Sequence, residues 1–442
     1  MEDYIILPSK LEAFFNTKTQ TVINSKGIGI NLLHGYCKNK EERANCPKCG
    51  SKMHIKNYHT TTLRHLSLGR TRNKLVISQV RYYCPCCNTT KMQELPFKSE
   101  FHRITKCLEN YTQDLLKSGL TIKKVSWLTG LDKNAVKDID LKRLKDKYTI
   151  DGTTLIKPER QARVLGIDEF KLHDGHKYAV VIIDMETGYV LWLAHGKKKQ
   201  TVYDFIDHVG PEWMDGVEAI ACDMNSDFQE AFEDRCPHIQ VVYDHFHIIN
   251  NFNDKVIGEV RKDEQRRLFK EGNIQAAMNL KRTKYILTSS RETLKKKDDD
   301  ARKGKVIVKK GTIFKRPEVT LKEGYEAKYD SLIEENKLLF TLDVIKEKLS
   351  LAYKLKDEVE MAREISQIMD ICSASGNKHM MWFRRLLDNH FEGIIAHATY
   401  KISSGKVEGI NNKIKTIRRQ GYGYPDDDYF FLKIFDASRP PI

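Results

Sequence analysis

The feature that most constrains the fold is a series of short apolar runs between residues 163 and 248, several of which end on acids. In "RVLGIDEF", Val164, Leu165 and Ile167 read as the middle of a buried strand, and Asp168 and Glu169 follow at once. An ionised carboxylate there is costly unless it is paired or holds a metal. "HKYAVVIIDMETGYVLWLAHG" reads as two more strands, 178 to 183 and 189 to 194. The hairpin loop between them leaves Gly188 free to take positive φ. Val202, Phe205, Ile206 and Val209 have helical spacing. Residues 217 to 222 form a short apolar strand that ends on Asp223, and "SDFQEAFEDRC" is a helix. "IQVVYDHFH" is a fifth strand, ending near Asp244 and His247.

The order is strand, strand, strand, helix, strand, helix, strand. That is the order of the ribonuclease H fold, an α/β core on a mixed five-stranded sheet in which the first and fourth strands are parallel neighbours. Asp168 and Asp223 would then meet. Two carboxylates brought together in a sheet repel unless divalent cations neutralise them. The competing reading of Asp168 is an ion pair with a buried Lys or Arg.

A third acid is offered by "SSGKVEGINNKIKTIRRQGYGY", residues 403 to 424. Ser403 or Ser404 would cap a helix with Val407, Ile410, Ile414 and Ile417 as its apolar stripe. Glu408 sits beside the stripe, and Asn412, Lys415, Arg418 and Arg419 line the polar side. An acid among amide and basic groups suits a metal ligand facing a phosphate chain. Asp223 and Glu408 are about 185 positions apart, and most of that interval reads as an all-α insertion. Its charge run "LKKKDDDARKGK", residues 294 to 305, reads as a mobile loop.

Towards the N-terminus, Cys46 and Cys49 form one C-x-x-C knuckle, and Cys84 and Cys87 form another. Together they complete a tetrahedral four-thiolate zinc site, with Cys86 as an alternative ligand. The thirty-four residues between the knuckles suit a zinc-ribbon-like module with a β-hairpin. In "TIKKVSWLTGLDKNAVKDI", Thr121 caps a helix carrying Ile122, Val125 and Leu128, and Gly130 makes the turn. Asp132 caps a second helix in which Val136 and Ile139 face inward. This is a helix-turn-helix pattern that offers Lys133, Asn134 and Lys137 to a groove.

At 442 residues the chain is long enough for several domains. Its net charge of +15 points to a polyanionic partner, nucleic acid first. "MEDYIILPSKLEAFF" starts acidic and lacks a long apolar core, so neither a signal peptide nor a membrane partner is expected, and the reading is cytoplasmic.

The knuckles, the helix-turn-helix, "GIDEF", "CDMNSDF", "VYDHFHI" and "SGKVEGINNKIKTIRRQGYG", in this order, resemble transposases of the ISL3 insertion-sequence family. The resemblance runs from about Cys46 to the C-terminus. It implies a DDE triad of Asp168, Asp223 and Glu408 holding two Mg²⁺ or Mn²⁺ ions, with one structural Zn²⁺ in the N-terminal module. It also implies cleavage and strand transfer on double-stranded DNA, at transposon ends and target, by a homodimer or larger assembly. Asp244 and His247 match the family's D-x-F-H stretch, where supporting the metal ligands or positioning DNA stands beside a purely structural role. The implied domains are 1–100 (zinc), 101–150 (helix-turn-helix), 160–250 (catalytic core), 251–395 (insertion) and 396–442 (the core's C-terminal part). Two other functions compete: a DNA-binding regulator derived from a transposase, and a ribonuclease H-like structure-specific nuclease.

Overall fold

The computed structural model of the protein describes residues 11–440, apart from 12, 26, 38–43, 70, 176, 225, 309–317, 403 and 404. The proposed caps Ser403 and Ser404 therefore lie outside the described residues. The chain divides into two compact units: residues 1–156 with 415–442, and residues 157–414. Among the described residues no helix is long and apolar enough to cross a membrane.

The first unit begins with a mixed sheet of β1 (Phe14–Ile23), β2 (Gly29–Cys37), β3 (His54–Leu68), β4 (Thr71–Tyr83) and β5 (Thr90–Met92). Its order is β1-β2-β4-β3, with β5 also on β4 and the β2–β4 pair parallel. The long antiparallel pair β3–β4 is the hairpin expected between the knuckles. Strands β1 and β2 add an N-terminal hairpin that the sequence did not suggest. Its apolar side packs Phe14 and Leu33 against Leu63, Leu75 and Ile77.

Three helices follow: α1 (Lys106–Lys117), α2 (Ile122–Thr129) and α3 (Lys133–Tyr148). The local signals act as read. Thr121 accepts from the Lys124 N–H, Gly130 turns the chain at φ +70°, and Asp132 accepts from the Asn134 N–H. A Cβ at Gly130 would also lie 2.5 Å from the Arg72 guanidinium, which would have to swing aside. The apolar stripe differs by one position. Leu128 is exposed, and Leu131, just past the turn, fills the core with Val125, Val136 and Ile139.

The C-terminal helix Asp427–Ser438 packs on α3 in the first unit. A buried ionic network holds it there. Asp140, fully buried, accepts from Arg143 (2.8 Å), Lys433 (2.9 Å) and the Tyr429 hydroxyl (2.7 Å). Asp436 accepts from Arg143 (2.8 Å), Tyr148 (2.9 Å) and Lys147 (3.2 Å).

The second unit holds β6 (Val164–His173), β7 (Lys177–Asp184), β8 (Val190–His195), β9 (Ala219–Cys222) and β10 (Gln240–Tyr243) in the order β10-β9-β6-β7-β8. The pairs β6–β7 and β7–β8 are antiparallel, whereas β6–β9 and β9–β10 are parallel. Helices α4 (Lys199–Val209) and α5 (Ser226–Arg235) carry Phe205 and Phe232 into a core with Leu165, Ile167 and Ile182. Successive strand residues face opposite sides, so Val164, Gly166 and Asp168 face away from that core. The fifth strand is shorter than read. It stops at Tyr243, and Asp244 caps α6 (His245–Asn251), which contains His247.

The insertion is mostly helical, and its apolar side chains continue the core of the sheet. It is not all-α, because Val306–Val308 pairs antiparallel with Glu318–Thr320. Nor is the charge run a loop. Helix Arg291–Arg302 takes in most of it, capped by Ser290, with Leu294 fully buried. Asp298, also buried, accepts from the Tyr325 and Glu326 N–H groups at the start of the next helix. One apolar anchor and one buried cap give this polar segment a fixed place.

Removing Asp140 would leave Lys433 without its buried partner and Arg143 with Asp436 alone. Asp140→Ala is expected to cost about 3–5 kcal/mol of stability in the first unit, read by denaturant unfolding. Burial raises the Asp436 carboxyl, but hydrogen bonding and charge from Arg143 overcome it and hold the pKa at about 2. A depressed carboxylate stabilises the fold above its unfolded pKa of about 3.9. Its contribution of about 2 kcal/mol is therefore expected to fade as pH falls from about 4 to about 2, and Asp436→Asn should flatten that part of the profile.

Candidate active site and metal centre

Both knuckles have the same backbone design. The Gly50 N–H donates to the Cys46 carbonyl and the Asn88 N–H to the Cys84 carbonyl, each at 2.9 Å. Gly50 and Asn88 close the turns at φ +72° and +55°. The β3–β4 hairpin brings the knuckles together, since His54 pairs with Tyr83 at its open end. The ligand atoms of Cys46, Cys49, Cys84 and Cys87 all lie within 4.8 Å of one another. Three of the sulfur pairs are 3.4, 3.5 and 3.6 Å apart. Four sulfurs at about 2.3 Å from a tetrahedral zinc would stand about 3.8 Å apart, so the donors fit the ion. Cys86 is exposed and outside the cluster, which settles the choice of ligand in the second knuckle. Burial pushes the Cys84 thiol up to about 12, whereas hydrogen bonding to Thr89 draws Cys87 down to about 6. A cation supplies the charge that lets all four act as thiolates.

In the second unit, the β6–β9 register brings Asp168 and Asp223 together. Val164, Leu165 and Gly166 lie opposite Ala219, Ile220 and Ala221. The same offset, carried from 166 against 221 to 168 against 223, sets Asp168, in the middle of β6, level with Asp223, the residue just past β9. The Glu169 N–H donates to Asp168 Oδ1 and the Met224 N–H to Asp223 Oδ1, both at 2.7 Å. Burial raises the Asp168 pKa, the Glu169 N–H opposes this, and the Asp223 charge raises it further. This site is short of positive charge.

Glu408 lies in the first turn of the helix Gly405–Gln420 and is exposed. That end of the helix sits on β6. Lys406 Nζ donates to the carbonyls of Met185 (2.7 Å) and Glu186 (2.6 Å). Val407 packs over Gly166, where any Cβ would lie 2.8 Å from Val407 Cγ2. Asn411 Nδ2 donates to Asp168 Oδ2 at 2.5 Å. Glu408 is three residues before Asn411, hence its neighbour on the helix surface. The three acids do not form a tight cluster: among the described residues only the four cysteines bring metal-ligating side chains within 4.8 Å of one another.

Asn411 was missed in the sequence. It lies within the apolar stripe, four residues after Val407 and three before Ile414, and it is buried. A polar residue at such a position was the available signal. The neighbouring Asn412, read as a DNA contact, is exposed, as are Lys415 and Arg419, while Arg418 is half-buried. Asn411 Oδ1 is buried without a hydrogen-bond partner. Beside a carboxylate pair, an unmatched acceptor suits a site meant for cations or water.

His247 Nδ1 lies 3.3 Å from Asp223 Oδ1, whereas Asp244 is buried as the cap of α6. Asp223 and His247 border a polar cleft of about 490 Å³ with Asn250, Asn251, Lys255 and His390. In the first unit, Lys133 and Asn134 are exposed at the start of α3. Lys137, offered to a groove by the sequence, pairs with Asp426 at 3.0 Å.

A family model described as a transposase, of the ISL3 type with a DDE core, matches residues 165–434. A second, described as the zinc-finger of transposase IS204/IS1001/IS1096/IS1165, matches residues 42–87. The transposase for insertion sequence element IS1001 of Bordetella parapertussis is 26% identical over 392 residues, covering 88% of this chain and 87% of the relative. The transposase for insertion sequence element IS1557 of Mycobacterium tuberculosis is 23% identical over 273 residues, covering 59% and 57%.

The cysteine geometry gives an asymmetric expectation. Cys84→Ser should lose bound zinc and the ordered structure around the knuckles. Cys86→Ser should keep one zinc per chain. Elemental analysis of the purified proteins, with circular dichroism before and after chelation, measures both.

Proposed function

Because the chain belongs to the ISL3 family of DDE transposases, we propose that Asp168, Asp223 and Glu408 form its catalytic triad and cut the strands at the element's ends. The protein is a DNA transposase with a zinc-ribbon module. The observation that carries the triad is the β6–β9 register, which levels Asp168 with Asp223, joined to the Asn411–Asp168 hydrogen bond from the helix bearing Glu408. The strand order, with its parallel β6–β9–β10 half, supports the ribonuclease H-like reading of the core.

In this reading the three carboxylates supply hard oxygen donors for two Mg²⁺ or Mn²⁺ ions. Bound there, the ions would acidify an attacking water and stabilise the leaving 3′ oxygen. The protein's own groups fix the donors. Asn411 holds Asp168 Oδ2, leaving the other carboxylate oxygen to the Glu169 N–H. His247 steadies Asp223 from the helix α6. The freed 3′-OH would then attack a target phosphodiester and expel the target strand's 3′ oxygen, so no covalent protein intermediate is required.

The helices α2 and α3 act as a helix-turn-helix on terminal inverted repeats. Lys133 and Asn134 meet the groove, and Lys137 braces the C-terminal helix through Asp426. Asn412, Lys415, Arg418 and Arg419 line the path of the phosphates. Two ends must be processed together, so the working form is a dimer or larger assembly.

Asp223→Asn and Glu408→Gln are expected to abolish metal-dependent cleavage of a labelled duplex carrying the element's own end, while leaving end binding intact. Retained cleavage in either variant would overturn the triad. Asn411→Ala, which frees Asp168 without removing a ligand, should cut cleavage about 10–100-fold and raise the metal concentration needed. An unchanged metal requirement would mean that Asn411 only packs. Specific binding with no cutting under any metal would favour the regulator.

A further inference from the structure

The loop after the helix Gly405–Gln420 holds Tyr422 in an unusual state. Its side chain is 97% exposed, the most exposed large apolar group among the described residues. Its backbone is left-handed at φ +55°, a conformation that bulky side chains rarely adopt. Glycines flank it on both sides and would fit that conformation more easily. The chain thus keeps an aromatic ring where both local sterics and water disfavour one.

The loop beneath the ring is firmly built. The N–H groups of Gly421, Tyr422 and Gly423 donate to the carbonyls of Ile417, Arg419 and Arg418 at 3.0–3.1 Å. Gly421 lies so close to the Tyr424 ring that a Cβ would stand 2.5 Å from it. Tyr424 in turn stacks on Phe430, with ring centroids 4.8 Å apart. Asp426 then caps the C-terminal helix and pairs with Lys137 of α3. The loop and the second helix of the helix-turn-helix therefore belong to one braced surface, with Tyr422 directed outward.

We propose that Tyr422 is a stacking wedge, whose ring packs against a base that the transposon-end DNA unstacks on binding. Every base offers a π face, and aromatic side chains pressed against or between bases are a general means of holding distorted DNA. The neighbours suit that partner. Lys415 and Arg419 are exposed on the helix that leads into the loop. A single ring among cationic side chains offers too little apolar area for a stable protein interface but enough for one base. Because the ring is already presented, little ordering is needed on binding. The inference rests on the reading of this unit as the end-binding module.

The test uses the full chain and a duplex carrying the element's own end, at one fixed salt concentration. It measures binding affinity and the permanganate reactivity of the thymines. Wild type and Tyr422→Phe should bind alike and share a hyper-reactive position. Tyr422→Ala and Tyr422→Gly should lose that position and bind about tenfold more weakly, within the range for one stacked base. The salt dependence of binding should not change, because the ring carries no charge. Tyr422→Gly also controls for folding, since glycine suits φ +55° and should melt no lower than wild type. Wild-type affinity and footprint in Tyr422→Gly would overturn the inference while leaving end binding in place. Failure of wild type to bind the end would overturn the end-binding reading, and the wedge with it.

Discussion

The parallel pairing of β6 with β9 is the constraint on which the second unit depends. It brings two acids nearly sixty positions apart in the chain to the same level of one sheet. It also sets what can stand two residues before Asp168 on the same face of β6. Gly166 stays bare so that Val407 can pack over it, and that contact lays the first turns of the Gly405–Gln420 helix across the strand. Asn411 reaches Asp168 only because of this packing. A burial decision in the sheet thereby brings the helix that bears Glu408 onto the strand that bears Asp168.

The first unit solves a different problem. Its outer sheet is long and polar, and its helices are short. Metal and buried ions supply the cross-links that its small apolar clusters would not. The four cysteines clamp the open end of the β3–β4 hairpin. Asp140 and Asp436 tie the C-terminal helix to α3 through shared partners. Buried ionic networks of this kind add less stability than apolar packing, but they fix one arrangement, because any other leaves charges unpaired.

Sequence and structure agree where the signal is local. The knuckles were legible because C-x-x-C spacing is short-range geometry. Thr121, Gly130 and Asp132 were legible because caps and turns act within four residues. The core strands were legible because apolar runs ended on acids, and the family resemblance added the link to Glu408. What was not legible depends on distant partners. Nothing near Lys137 announces Asp426, 289 positions later, so it looked like a free DNA contact. Arg291–Arg302 looked like a loop because its two buried anchors, Leu294 and Asp298, are hidden among charges. Asn411 was passed over because nothing near it in the chain announces Asp168, 243 positions earlier.

On the proposed function, Asp168, Asp223 and Glu408 share bound cations although they are far apart in the chain. Substituting Fe²⁺ for Mg²⁺ in the protein–DNA complex and starting local radical chemistry would cut the polypeptide beside the ions. Mass analysis of the fragments then reads the ligand set directly. Cuts clustered near residues 168, 223 and 408, lost together when Mg²⁺ competes, are the expected result. Cuts near 168 and 223 with none near 408 would contradict the account and move the third ligand elsewhere.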